Sequence, residues 1–432
     1  MDQNPFIYGR AVIADEFLGR RRELRYLFSR LSTQQSTAIV GEPHIGKTSL
    51  LKQFNNPEIQ SKHFTKNTHQ KIFSLMDVHS LYAYKSQTEF WDVVLRPLQS
   101  FFISKKMQVQ QNKFQAAKQS GFKSYELKDL FTSVKNSGLH FVLSLDEFDS
   151  LLKHPVFNSV EFYGQLRSLA SFTGGLSLVI ATRNRLEHLN QLTQPLNPLG
   201  SPFFNFLSEI HLGALDERSF AELLHLAQDR FDIDDRSYIM QVSGRHPFLA
   251  QTAAAMLWNA HEEGLVGIMR YKRTGKHLYQ QTRQHFTDTW NVWDDATRKV
   301  ITYLAIMDMP DILGRRRFRF DQLSQNLSDY RAELGKLELD GIVTSVEGSW
   351  KIAQRCFLWW LADELKRSVR AQGPFQDWLQ MQEVGSLFSK KELKQMKKVT
   401  RKISSVLEKG SATLIESFAK GVGQAFGENL KL

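Results

Sequence analysis

The sequence predicts an α/β fold, a parallel sheet wrapped by helices, followed by mainly helical domains. Three observations carry that expectation. Gly41-Glu42-Pro43-His44-Ile45-Gly46-Lys47-Thr48 has the G-x-x-x-x-G-K-[ST] spacing of a phosphate-binding loop, set between a β-prone run (Thr37–Val40) and a helix opening (Ser49–Phe54). Strand and helix signals alternate to about Phe206, the pattern of an α/β sheet. From Asp216 onward the pattern becomes helical.

Asn4 to Leu31 reads as a loop and then a helix. Ile72–Val78 reads as the second strand and Phe90–Ile103 as one amphipathic helix. The continuous apolar runs His140–Leu145 and Leu176–Ala181 read as buried parallel strands. Pro195, Pro198 and Pro202 mark a loop closed to helix. Helices are expected over Asp216–Ala227, over Asp235–Val242 and from Pro247 to His261, then a basic linker near Lys272–His277. Asp294–Met307, Phe320–Leu327 and Asp329–Asp340 read as three helices before a hairpin of Ile342–Val346 and Trp350–Ala353, the order of a winged helix. The expected domains are residues 1–30 (N-terminal segment), 31–206 (phosphate-loop core), 207–290 (helical lid), 291–366 (winged helix) and 367–432 (basic amphipathic helical tail).

The motif implies chemistry because its backbone N–H groups converge on one concavity at a helix N-terminus, where an anion is stabilised. Gly41 and Gly46 permit a close approach that a Cβ would obstruct. Lys47 is expected to reach the β/γ-phosphates of a nucleoside triphosphate and Thr48 to hold Mg²⁺, with Ser49 next in the helix. Phe141–Glu147 reads as the strand whose terminal carboxylates complete such a site. Asp146 is expected on the metal, and Glu147 as the base that orients the attacking water. Asp149 reads as a solvated turn carboxylate. At the next strand end, Thr182 and Arg183 are candidates to sense the γ-phosphate, and Arg185 reads as a surface residue.

Phe17-Leu18-Gly19-Arg20 with Glu23-Leu24, the two phosphate-site motifs, Thr182-Arg183 and Gly244-Arg245-His246-Pro247 together resemble the STAND class of AAA+-related ATPases, with NB-ARC-like and archaeal-type relatives. The resemblance spans roughly residues 4–366 and implies an AAA+-like core, a helical lid and a winged helix. It implies ATP or ADP as ligand, with Asn4-Pro5-Phe6, Phe17, Gly19 and Arg20 in a strap on the adenine and Pro247 touching the base. It also implies slow hydrolysis by a switch that changes assembly or partner contacts, in signalling or defence. The Gly244–Pro247 run departs from the initiator pattern of a lid arginine, and no repeat array of the kind that often serves as a STAND sensor is visible.

Charge frames the alternative, an AAA+ ATPase that binds DNA. The net charge is +11, yet residues 366–432 hold thirteen Lys and Arg against six Asp and Glu, a surplus of seven. The third winged-helix helix is net acidic (Asp329, Glu333, Glu338 and Asp340 against Arg331 and Lys336), which opposes phosphate approach. Arg315, Arg316, Arg317 and Arg319 form the local basic cluster, while Phe357, Trp359 and Trp360 read as core. In the tail, Leu393, Met396, Val399, Ile403 and Val406 recur at helical spacing among Lys390, Lys391, Lys394, Lys397, Lys398, Arg401 and Lys402. Leu414, Ile415, Phe418, Val422 and Phe426 make a second apolar face. Such faces suit a protein partner, a second copy, an anionic membrane surface, or the chain's own domains. The one cysteine, Cys356, rules out an intrachain disulfide framework, and no spanning run or signal pattern is read, so a cytoplasmic location is expected. His44 and His246 lack metal-ligand spacing.

Overall fold

The computed structural model describes residues 3–64, 70–312, 330–346, 348–372 and 411–425. The chain divides into two units: Ala11–Glu42 with Gly46–Leu212, and Met1–Arg10 with Pro43–Ile45 and Gly213–Leu432.

The first unit is a parallel sheet. Its elements are α1 (Arg21–Ser32), β1 (Ser36–Val40), α2 (Lys47–Phe54), α3 (Pro57–His63), β2 (Gln70–Asp77), α4 (Gln87–Val94), α5 (Arg96–Ser104), α6 (Gln108–Gln119), α7 (Ser124–Asn136), β3 (Leu139–Asp146), α8 (Val160–Phe172), β4 (Leu176–Thr182), α9 (Leu186–Thr193) and β5 (Leu207–His211). The strand order is β2-β3-β4-β1-β5, every pairing parallel. β1, β3 and β4 are buried at every residue, as strands covered on both faces must be. Two of their polar side chains meet inside the sheet, His140 Nε2 lying 2.8 Å from Ser177 Oγ. Edge strand β2 alternates instead, which leaves Leu75 exposed. Leu24, Leu27, Phe28 and Leu31 give α1 its buried stripe, and Arg30 donates to the carbonyls of Ser208 and Glu209 on β5 (2.9 and 3.0 Å).

Two expectations change here. The single helix over Phe90–Ile103 is two, parted at Leu95, because Pro97 has no N–H to continue the ladder and its ring obstructs the preceding turn. The core read as ending at Phe206 stops one strand short: β5 follows, and Leu212 N donates to Val40 O at 2.7 Å. The proline loop contains one 3₁₀ turn, Gln194–Leu196, with Pro195 in its first turn.

The second unit contains α10 (Glu217–Leu224), α11 (Ile233–Ser243), α12 (Pro247–Glu262), α13 (Gly267–Val292), α14 (Asp295–Ile312), α15 (Arg331–Leu339), the antiparallel hairpin β6 (Val343–Val346) and β7 (Ser349–Ile352), α16 (Arg355–Gln372) and α17 (Ser411–Ala425). The basic linker expected at Lys272–His277 lies inside the 26-residue α13. Tyr271, Thr274, Gly275, Leu278, Thr282 and Phe286 form one buried stripe at helical spacing, and the charges occupy other faces. Buried Asp235 joins three helices, pairing with His261 Nε2 (2.8 Å) and Arg270 (3.2 Å). Phe357, Trp359 and Trp360 are core, at most 2% exposed, and Phe357 packs edge-on against Phe286 at 5.5 Å. Cys356 is a free, buried thiol.

The N-terminal residues of this unit lie against α12. Phe6 stacks on Phe231 at 5.5 Å, and Asn4 Nδ2 donates to Ala255 O at 3.1 Å. Phe6 is thus built into protein, which departs from its expected place on an adenine. The second apolar face of the tail is likewise occupied. Leu414, Ile415 and Phe418 of α17 are buried, with Phe418 against Tyr238 (5.7 Å) and Trp359 (6.0 Å). The helices approach closely at Gly275, where a Cβ would lie 2.7 Å from Ile415 Cγ2. Arg315, Arg316, Arg317 and Arg319, the helix expected over 320–327, the run Lys390–Val406, and Phe426 lie outside the described residues. Among the described residues no helix is long and apolar enough to cross a membrane.

Candidate functional site

The phosphate loop follows β1 and ends at α2, as its motif requires. Gly46 is the helix N-cap with φ 101°, a left-handed conformation that explains the glycine; the space around it is open. Gly41 N donates to Thr182 O (3.3 Å), so the loop leaves β1 beside the carboxyl end of β4. Lys47 is 6% exposed, and its Nζ donates to the carbonyls of Gly41 (2.7 Å) and Glu42 (2.9 Å). Burial pushes its ammonium down from the usual lysine range, while Glu147, Asp149 and Glu42 act to keep it charged and Arg183 opposes them.

β4 separates β1 from β3, so the strand after the loop's own neighbour carries the carboxylates. Asp146 accepts hydrogen bonds from the Thr48 hydroxyl and from Glu147 N (3.0 Å). Burial raises its carboxyl above the ordinary range, the two hydrogen bonds counter that, and Glu147 and Asp77 add to the rise. Asp77 faces Asp146 in the β2–β3 register. Glu147 sits in the left-handed region at φ 52° and opens a 3₁₀ turn, Phe148–Lys153. Non-glycine residues in that conformation are uncommon, and they concentrate where a side chain must be aimed. Its Oε2 lies 3.5 Å from Arg183 Nη2.

Thr48, Asp146, Glu147, Lys47 and Arg183 are thereby brought together at the carboxyl ends of the strands. An oxygen-only pair, hydroxyl with carboxylate, fits a hard cation such as Mg²⁺. Thr182 departs from its expected role. It is fully buried and its hydroxyl donates to Asp149 Oδ1 at 2.8 Å, so it braces the strand end instead of facing a ligand. Asp149, read as a solvated turn carboxylate, also accepts from Arg183 N (2.7 Å) and from Asn184 N (3.3 Å) and Nδ2 (2.6 Å). Arg185, read as a surface residue, is half-buried, with Nε and Nη2 inaccessible and without a hydrogen-bond partner among the described residues. Asn184, Asp77 and the role of Asp149 escape sequence reasoning. The D-E-x-D run opposite T-R-N, a carboxylate facing a row of donors, is the signal that could have found two of them.

The strap segment runs along α2. Val12 N donates to Ser49 Oγ (3.1 Å) and Ala14 N to Gln53 Oε1 (3.0 Å), so Ser49 holds protein backbone. Phe17 is half-buried, Gly19 has φ 73°, and Arg20, buried with φ 55°, pairs with Glu23 at 3.5 Å. Pro247 belongs to the second unit, where it opens α12. So do Pro43, His44 and Ile45. There the His44 ring stacks on Phe248 at 4.9 Å and meets His285 edge-on at 5.4 Å.

Residues 29–189 match the family model described as AAA domain, a segment holding the phosphate loop, β3 and β4. The parallel sheet, the phosphate loop and the matched segment are those of an AAA-type P-loop nucleotide-binding domain. The Walker-type ATPase paby2304 of Pyrococcus abyssi is similar in structure at a TM-score of 0.50 and 17% identity, over 83% of this chain and 99% of that one. The Aeropyrum pernix ORC2 protein gives 0.46 and 15%, over 79% and 92%. A STAND protein with a tetratricopeptide repeat sensor from Pyrococcus horikoshii gives 0.34 and 13%, over 84% of this chain and 47% of that one. No curated protein matches the sequence.

Proposed function

We propose that the chain binds ATP with Mg²⁺ and hydrolyses it slowly, as a STAND-type switch whose assembly or partner contacts follow nucleotide state. The observation carrying this reading is the convergence of Lys47, the Thr48–Asp146 pair and the Glu147–Arg183 pair on one phosphate loop. Lys47 and the loop amides stabilise the β/γ-phosphate oxygens. Thr48 and Asp146 would hold Mg²⁺, which supplies charge neutralisation on the phosphates when bound. Glu147 orients the attacking water and accepts its proton. Arg183, withdrawn from Glu147, can offer its N–H fork to the γ-phosphate. The Gly244–Pro247 run favours the switch over an initiator. The helix order α14, α15, hairpin, α16 suits a winged helix that packs and regulates.

DNA binding through that winged helix and the basic segments is the second reading. The positive surplus in residues 366–432 favours it, and the net charge of −2 over residues 329–340 opposes it.

Equilibrium titration with ATP and GTP, turnover assays and light scattering test the proposal together. Lys47→Ala should weaken ATP binding by about a hundredfold or more, and Glu147→Gln should keep binding while slowing turnover by about a hundredfold. The particle size of Glu147→Gln with ATP should differ from that with ADP. Equal affinity in Lys47→Ala and the parent would overturn nucleotide binding at this loop. Identical size in every nucleotide state would overturn the switch.

A further inference from the structure

Four hydrogen bonds converge on a carboxylate that the reaction does not consume. Asp149 Oδ1 accepts from the Thr182 hydroxyl, Asn184 N and Asn184 Nδ2, and Oδ2 accepts from Arg183 N. The carboxylate grips three consecutive residues at the end of β4. The middle one, Arg183, carries the guanidinium that meets Glu147 at 3.5 Å. Asp149 and Glu147 both belong to the turn that leaves β3, Glu147 capping it in a left-handed conformation and Asp149 in its first turn. One short turn therefore presents the base and clamps the strand end carrying the base's cationic partner.

We propose that Asp149 is a positioning residue for hydrolysis: by clamping Thr182-Arg183-Asn184 it fixes the distance between the Arg183 guanidinium and the Glu147 carboxylate. This rests on the proposed hydrolytic role of Glu147. The acceptor must be two-sided, because three backbone or amide N–H groups and a hydroxyl converge on it and both oxygens are used. An amide in its place turns an NH₂ group against an N–H donor. The clamp also accounts for the buried Thr182, whose hydroxyl serves Asp149. A second route from Asp149 to activity exists, since its charge helps keep Lys47 protonated. The two routes separate experimentally: loss through Lys47 appears in nucleotide affinity, whereas loss of the clamp appears in turnover.

The test is steady-state ATPase kinetics and nucleotide affinity for the full chain and for Asp149→Asn, Asn184→Ala, Arg183→Ala and the Asp149→Asn/Arg183→Ala double variant. Asp149→Asn should lower kcat by about tenfold or more with the ATP dissociation constant within about threefold of the parent. Asn184→Ala, which removes only the 2.6 Å bond, should show the same split more weakly. The double variant should be no slower than the slower single one, because the clamp acts through Arg183. Hydrogen exchange at the amides of residues 183 and 184 should quicken in Asp149→Asn. Unchanged kcat, unchanged exchange, a matching fall in affinity, or fully additive losses would each overturn the inference alone. A parent that binds ATP but has no Glu147-dependent turnover would overturn the hydrolytic reading, and this inference with it.

Discussion

His285, on the buried stripe of α13, shows how one side chain ties stability to pH. Burial first, then the neighbouring His44, lowers its imidazole from 6.5 to about 3. Between those values the unfolded chain takes up a proton that the folded chain refuses. Its stabilising contribution is therefore complete above pH 6.5 and is lost as pH falls toward 3, by about 1.4 kcal/mol per pH unit. In His285→Phe, urea midpoints at pH 7.5 and 4.5 should differ less than in the parent; equal differences would disprove the assignment. At this scale the phosphate loop is legible in sequence because its chemistry is local. The loop glycines, Lys47 and Thr48 are contiguous, and their spacing alone brings the backbone N–H groups together. Asp149 and Thr182 are not legible in that way. Each acquires its role from a residue at or beyond the end of a different strand, and a carboxylate after a strand looks the same whether it meets water or a row of donors.

Among the elements, the buried strands read well because continuous apolar runs admit few alternatives, as His140–Leu145 and Leu176–Ala181 illustrate. β5 escaped because Leu-Ser-Glu-Ile-His is short and half polar, the composition of an edge. The segment Lys272–His277 reads as a linker because its charges are crowded together, whereas the apolar residues that hold α13, Tyr271, Leu278 and Phe286, are spaced along one buried stripe. The tail carries the clearest consequence. Its second helix, with Gly421 and Gly423 inside it, has weak intrinsic propensity and is stabilised by packing. Ser411 N donates to Asp363 Oδ1 (2.8 Å), and Glu416, held below the usual carboxylate range by Lys272 and Lys420, anchors the exposed side. Phe418→Asp places a charge against Tyr238 and Trp359 and should lower the melting temperature by roughly 5 °C or more. An unchanged melting temperature would mean that α17 is not part of this unit's core in solution, leaving its apolar face for a partner.

For the molecule as a whole, the decisive contrast lies between a switch and a DNA-binding ATPase, and the docked α17 determines how to separate them. Truncating the tail would uncover Tyr238 and Trp359, so weaker DNA binding could not be told from aggregation. Replacing Lys390, Lys391, Lys394, Lys397, Lys398, Arg401 and Lys402 with Gln removes the charge and keeps α17. Each phosphate contact contributes about −0.9 to the slope of log affinity against log salt on duplex DNA. If the excess charge acts only as a diffuse attraction, the parent should bind duplex DNA weakly at physiological salt, without sequence preference. The neutralised variant should then lose most of the salt slope while keeping ATP affinity. Tight binding that survives neutralisation but fails when Arg315, Arg316 and Arg317 become Gln would place DNA on that basic cluster and favour the second reading. α15 argues for the first outcome, since Arg331 and Lys336 are balanced there by Glu333 and Glu338 and the helix brings no net positive charge to the phosphates.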